Sequence, residues 1–407
     1  MSTSVQGTAQ LASTPALAAP PLSGHPPRER LLSLDVFRGA TIAGMLLVNT
    51  PGTWSAIYPP LEHATWNGWT PTDLIFPFFL FIVGITTHLS RESRRARGDD
   101  ERAIVVQTLR RGAVIVLLGL ALAAVPMSYD LARYPDQLHA LRIPGVLQRI
   151  GVAYIAAALL TRRTSLRTQI AIIAAILLGY WAVMTLVPVP GSGLLGWQTL
   201  GTPSATLSAW LDRTLLGGHL WRDSRTWDPE GILTTVPAVA TTMLGVLAGR
   251  AIASRAALAE RIAGIFAVGC MAMVAGLVWN WVFPINKNLW TSSYVLFTAG
   301  AAAATVATCL WLVDARGWRR WTTPFVVFGV NPIAAYVGSE AMARLIYTTT
   351  RVNVDGHAVP LQTVIFERAF ASWLPLRMAS LLFAVAFVFL WFGIMWVLYR
   401  RRIFLKV

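Results

Sequence analysis

The segment LLSLDVFRGATIAGMLLVNTPGTWSAIYPPLEHATWNGWTPTDLIFPFFLFIVG, residues 31–84, concentrates side chains suited to proton and acyl chemistry. His63 stands there among Glu62, Trp66, Asn67 and Trp69, and Asp73 follows where an apolar run begins. Asn49 lies 14 residues before His63, inside the preceding apolar run. Imidazole titrates at about 6.5, so it exchanges protons at neutral pH and suits general-base work. Acyl transfer from a thioester to an amine requires that the attacking ammonium first lose a proton. A histidine with an Asn or Asp to orient its ring and steady an oxyanion is sufficient equipment. Plainer roles fit the same residues. His63 also reads as an ordinary loop histidine, and Asn49 as an amide bonding a neighbouring helix. In TPTD, Thr70 reads as an N-cap, Pro71 as the first helical residue and Asp73 as a third-position carboxylate. Arg38 reads as a charge anchor paired with Asp35.

Further polar residues interrupt apolar stretches, where they are costly and mark function or pairing. LRIPGVLQRIGVAY (141–154) carries Arg142, Gln148 and Arg149; DPEG (228–231) precedes another run; PINKNLWTSSY (284–294) carries Asn286, Lys287 and Asn288; Asn331 and Glu340 share a later run. Arg149 pairs with Glu340 or Asp73, or else holds a phosphate or a carbonyl. There is no Walker loop, no dinucleotide glycine fingerprint after a strand, no Cys/His metal set and no GxSxG elbow, which disfavours nucleotide hydrolysis, zinc chemistry and serine hydrolysis. Cys270 and Cys309 lie in apolar runs and read as small core residues.

The elements that position these residues are membrane helices. Hydrophobic residues make up 55% of the chain and charged ones 13%, against about 25% charged in a soluble domain. A bilayer core takes ~20 apolar residues per helix. Ten stretches qualify, near 36–57, 71–89, 104–125, 144–161, 168–187, 232–250, 261–283, 290–313, 324–346 and 373–399. The expected fold is therefore all-α, a polytopic membrane protein of about ten transmembrane helices. Basic clusters at 91–102, 161–167, 250–261 and 314–320, with Arg28, Arg30, Arg400, Arg401, Arg402 and Lys406, gather 20 Lys/Arg on one face, and the opposite connectors hold eight. Positive residues mark the cytoplasmic side, so both termini are expected there. The net charge of +15 is spread over these clusters, which suits anionic lipid headgroups and not nucleic acid. Residues 1–30 read as a disordered cytoplasmic tail, not a signal peptide. The connectors 51–70, 126–143, 188–231 and 347–371 are the elaborated ones, so chemistry is expected on their face.

LDVFRG, EHATWNGWTPTDLIFPFFLFIVG, LRIPGVLQRIGVAY, DPEGILTT and PINKNLWTSSYVL together resemble the transmembrane heparan-α-glucosaminide N-acetyltransferase family. The likeness is greatest to its bacterial members, called NagX, and runs from about residue 30 to the C-terminus. It implies a multi-pass protein of the bacterial inner (plasma) membrane, with residues 31–407 as a single acyltransferase domain. Acetyl would pass from cytosolic acetyl-CoA to the amine of glucosamine, or of a terminal glucosamine of an oligosaccharide, on the far side. The family's proposed catalytic His carries over onto His63, its intramembrane Asn onto Asn49, and the Asp of DLIFP onto Asp73. The spacing from Asn49 to His63 is slightly longer than in the lysosomal enzyme. Without that enzyme's luminal domain, acceptor recognition falls to the 188–231 connector. Donor binding is expected at Arg149, Gln148 and Arg38, with Asn286, Lys287 and Asn288 at the outer edge. Asn49 and Asn331 would line a path with Arg149 and Gln148. Arg38, Arg110 and Arg111 suit the CoA phosphates. No metal is expected; a homodimer is left open.

Two rivals share the scaffold: an amino-sugar permease, which would leave acetyl-CoA untouched, and an envelope polysaccharide O-acetyltransferase, whose acceptor is a hydroxyl. The orientation is testable in intact cells. A single cysteine at Ser192 is expected to react with an impermeant thiol reagent and one at Ser93 is not, because basic residues hold 91–102 inside. Labelling of both, or the reverse, overturns the orientation.

Overall fold

A computed structural model describes residues 31–125 and 140–405; the expected tail at 1–30, together with Arg133 and His139, lies outside them. The chain enters α1 (Leu32–Asn49) and returns through a loop and a 3-10 turn, Pro71–Leu74, into α2 (Ile75–Ala96). Helices α3 (Glu101–Ala124), α4 (Val146–Leu160) and α5 (Leu166–Leu186) follow, then a connector holding α6 (Leu207–Leu216). The remainder is α7 (Ile232–Ile252), α8 (Leu258–Trp279), α9 (Ser292–Cys309), α10 (Thr323–Val330), α11 (Pro332–Arg344), a short hairpin, and α12 (Leu376–Arg400). Among the described residues, eight helices are long and apolar enough to cross a membrane, and α10 with α11 makes a ninth span if taken as one. The protein is thus an all-α polytopic membrane protein. Its outward faces carry Trp281, Phe389 and Met271, as lipid contact requires.

Several elements depart from the expected stretches for local reasons. Helix α1 ends at Asn49 instead of running to 57, because Pro51 offers no amide hydrogen and Gly52 packs on Phe366, whose ring would meet an added Cβ at 2.4 Å. Helix α4 has only 15 residues, about 22 Å, less than the ~30 Å core, since Pro144 and Gly145 keep the preceding chain out of the helix. The stretch near 324–346 is broken: α10 and α11 meet at 83°, with Asn331 in a non-helical conformation, as the residue before Pro332 prefers. The connectors also hold more structure than expected. Helix α6 lies in one, and the antiparallel hairpin β1 (Arg351–Val354) and β2 (His357–Pro360) lies in another, closed by Asp355 and Gly356 at positive φ, the Asp-Gly turn signature.

Helices approach at glycine. A Cβ on Gly84 of α2 would sit 2.0 Å from the Thr242 carbonyl of α7, and one on Gly245 of α7 would sit 2.0 Å from the Phe81 carbonyl of α2. With lipid as apolar as the side chains, such close backbone packing holds helices together. Hydrogen bonds then gather the connectors into two ends. At one, Arg91 donates to Thr161 O, Arg95 pairs with Glu101, Arg38 donates to Gly329 O, and Asn331 holds Ile403 and Leu405. This is the basic end. At the other, Gly52 N donates to Ser380 O, Ile143 N to His219 O, and the loop after α1 meets the loop before α9. The Gly84→Ala substitution is expected to force α2 from α7 and cost about 1–3 kcal/mol, read as a lower thermal unfolding midpoint in detergent; an unchanged midpoint would refute this packing.

Candidate functional site

Asp73 organises the loop end. One of its oxygens, Oδ2, accepts from Ala64 N at 3.0 Å, Thr70 N at 3.0 Å and Thr70 Oγ1 at 3.2 Å, so the carboxylate caps the helix entry and staples the 62–70 loop to it. The other, Oδ1, lies 2.7 Å from His63 Nδ1. The Asp73 side chain is 1% exposed and that of His63 43%. A carboxylate accepts only, so the shared proton belongs on Nδ1 and the lone pair on Nε2. The capping role and the chemical role read from the sequence are therefore compatible. They use different oxygens of one group.

Lys287 approaches the same ring, with Nζ 3.0 Å from Nε2, 3.1 Å from Nδ1 and 3.9 Å from Asp73 Oδ1. Burial pushes its ammonium below the usual lysine range, while Asp73 and Glu230 act to hold the charge. Its loop is fixed to the His63 loop by Gly68 N donating to Ile285 O and Asn286 Nδ2 donating to Asn67 Oδ1 at 3.1 Å. Asn286 is fully buried and its Oδ1 takes Leu289 N, so this residue shapes the loop; Asn288 is half-buried beside it. Behind them Arg142 pairs with Asp228, at 2.6 Å, and with Glu230. Burial acts to raise the Glu230 carboxyl, but Arg142 and the other cations outweigh it and hold it below the usual range.

Arg149 is 2% exposed and, among the described residues, forms no ion pair with either anion suggested by the sequence. Its guanidinium stacks 4.9 Å from the Trp290 ring and donates to Thr234 Oγ1, while Nη1 has no hydrogen-bond partner among the described residues. Gln148 packs its amide against Gly119 and Gly145. Glu340 pairs instead with Asn49, whose Nδ2 donates to Oε1 at 3.1 Å. Among the described residues no hydrogen bond joins Asn49 to His63.

A cavity of about 360 Å³ enters from the basic end between α1, α2, α3, α4 and α11. Its inner mouth is polar, with Arg38, Ser90, Gln107 and Arg111, and is joined by a smaller recess bearing Arg91, Arg94 and Arg162. Deeper in, Ile82, Phe79, Met45 and Tyr336 make it apolar. From Ser90 to Phe79 the lining of α2 descends eleven residues, about 16 Å. Arg91 Nε and Arg111 Nε are buried without hydrogen-bond partners among the described residues. Of the donor residues expected from sequence, Arg38 and Arg111 line this cavity, whereas Gln148 and Arg149 face other helices. Tyr336, Gln107 and Ser90 were not singled out by sequence: a tyrosine in an apolar run and polar residues at helix ends beside a basic connector carry no distinguishing pattern.

The fold and site define a polytopic membrane protein with an aspartate-oriented histidine at one end and a cation-rimmed cavity opening at the other. Residues 30–218 match the family model described as heparan-alpha-glucosaminide N-acetyltransferase, catalytic. The human heparan-alpha-glucosaminide N-acetyltransferase is 31% identical over 436 aligned residues, covering 95% of this chain and 61% of that protein. The mouse protein of the same name is 30% identical over 426, covering 93% and 60%. The chain belongs to the heparan-α-glucosaminide N-acetyltransferase family, and it spans about three fifths of the length of these curated relatives.

The double duty of Asp73 separates two substitutions. Asp73→Ala is expected to lower the thermal midpoint by the loss of a cap, about 0.5–2 kcal/mol, whereas His63→Ala, at an exposed ring, leaves it nearly unchanged. Equal effects on unfolding would contradict the stapling role.

Proposed function

We propose that the chain is a transmembrane N-acetyltransferase, with residues 31–407 as one acyltransferase domain. Acetyl-CoA binds from the basic, cytoplasmic end, and the amine of glucosamine or of a terminal glucosamine of an oligosaccharide is acetylated at the opposite, outer end of a bacterial inner-membrane protein. The observation that carries this is the pairing of an Asp73-held His63 at one end with a cation-rimmed apolar cavity entering from the other.

The cavity suits a donor with a phosphorylated head and a long thin arm. Arginines at the mouth meet phosphates bidentately, and the Nε atoms of Arg91 and Arg111, which have no partner among the described residues, gain acceptors. The apolar depth takes the thioester arm. At the outer end His63 Nε2 removes a proton from the acceptor ammonium, while the proton on Nδ1 stays with Asp73. The free amine attacks the thioester carbonyl carbon. The oxyanion that forms is met by Asn49 N–H and the Lys287 ammonium. As the C–S bond breaks the imidazolium protonates the sulfur, so that CoA leaves as a thiol. The freed Nε2 takes the second proton from the new amide nitrogen and passes it to solvent. From Phe79, the outermost α2 residue of the cavity, to Asp73 is about 9 Å along the helix, which the arm or the acceptor must cover.

The test uses purified protein, labelled acetyl-CoA and a panel of amino sugars. Acetylated amine is the expected product; a permease leaves acetyl-CoA intact, and an O-acetyl product assigns a hydroxyl acceptor. His63→Ala and His63→Asn are each expected to lose about 10²–10⁴-fold in turnover. Both should keep the rise in unfolding temperature that CoA produces by binding the folded state. Retention of more than about a tenth of the activity by His63→Ala removes His63 from the reaction.

A further inference from the structure

We propose that Glu340 is the positioning residue of Asn49, fixing the orientation of its amide at the outer end of the donor cavity; this rests on the acetyl-transfer reading above. The placement follows from helical spacing. On α1, Arg38 and Met45 line the cavity, and Asn49 lies four residues beyond Met45 on the same face. On α11, Ile333 and Tyr336 line it, and Glu340 lies four residues beyond Tyr336. The two stripes converge, and Asn49 Nδ2 donates to Glu340 Oε1 at 3.1 Å where they leave the cavity.

A carboxylate is informative at this position because it has no hydrogen to give. An asparagine amide facing an amide or hydroxyl can turn over at little cost, but facing a carboxylate it must present NH₂. Glu340 thus determines which side of Asn49 carries the second N–H, the one free to meet the carbonyl oxygen of a thioester coming up the cavity. Glu340 is held in turn. Arg344, one turn further along α11, brings Nη2 to 3.9 Å from Oε2 and donates through Nη1 to Leu122 O of α3 at 2.8 Å. Arg344 also offsets the cost of a carboxylate at this depth. The relay Asn49–Glu340–Arg344 ties α1, α11 and α3 together around the cavity's outer end, and Glu340 itself has no place in the proton transfer at His63.

Steady-state kinetics on the purified full chain test the assignment. Glu340→Ala should lower kcat by about tenfold or more, short of the ~10²–10³ lost with an oxyanion donor itself, and leave the acetyl-CoA KM within about twofold. Glu340→Gln offers Asn49 an amide that can face it either way round, and should recover only part of that loss. In an Asn49→Ala background, Glu340→Ala should cost nothing more, since residues acting through one another are not additive. If Glu340→Ala does not fold, Glu340→Asp, which withdraws the acceptor by one methylene, takes its place in the same cycle. A Glu340 effect of full size in the Asn49→Ala background, or an unchanged kcat, overturns the proposal. Wild-type kcat in Asn49→Ala also overturns it, by removing Asn49 from the reaction while leaving the roles of His63 and of acetyl-CoA standing.

Discussion

One buried carboxylate, that of Asp73, holds the loop end of this protein together. A helix entering the membrane has amide hydrogens without partners, a loop of about twenty residues has entropy to lose, and an imidazole that works as a base needs its tautomer set. Asp73 meets all three needs because its oxygens point in different directions, one into the loop backbone and one at His63. Tyr294 adds to this by donating its hydroxyl to the Asp73 carbonyl, which locks the start of α2 to α9. The Lys287 loop is fastened to the same segment through Asn67 and Gly68. Two stretches far apart in the chain, 62–74 and 284–294, are thereby registered around a single residue.

The rest of the bundle shows how a membrane protein keeps polar groups at depth. Helices that share glycine contacts, α2 with α7 and α1 with α10, pack backbone to backbone and leave little room between them. Space for a ligand remains where larger side chains hold α1, α2, α4 and α11 apart. Among the described residues Arg149 has no carboxylate in ion-pair contact and is accommodated by the face of Trp290 and two threonine hydroxyls. A delocalised guanidinium tolerates such surroundings better than a compact ammonium.

Much of this was legible from residue order, for reasons that can be named. Apolar stretches of bilayer length and the alternation of basic clusters are long-range signals that local irregularity does not erase, so the polytopic all-α fold was visible. Pro51, Pro144 and Pro332 were visible too, yet their effects depend on packing: one ends a helix, one delays a helix and one bends a span. His63 was readable as a histidine that needs an Asn or Asp beside it, with Asp73 and Asn49 both offered; the fold gives that place to Asp73 and turns Asn49 to Glu340. Lys287 is expected from sequence as a donor-binding residue at the outer edge, and not as a neighbour of the histidine. Its approach to His63 is a contact between loops more than two hundred positions apart, and no spacing rule reports that. The partner of Glu340 was likewise hidden. Sequence offered Arg149 as its counter-charge, while the fold turned Arg149 toward α7.

The junction at Asn331 also bears on how the molecule is made. Its amide donates to Ile403 O and accepts from Leu405 N, and Leu405 forms part of the cavity wall beside Arg38. Helix α1 and a residue beyond α12 therefore share a single chamber. Nothing can seal that chamber during synthesis until every intervening span has been inserted and residue 405 has folded back against the bend. Until then α1, with Arg38 and its polar neighbours, depends on the translocon, lipid headgroups or water for company, and the wall is completed only once α12 has been made.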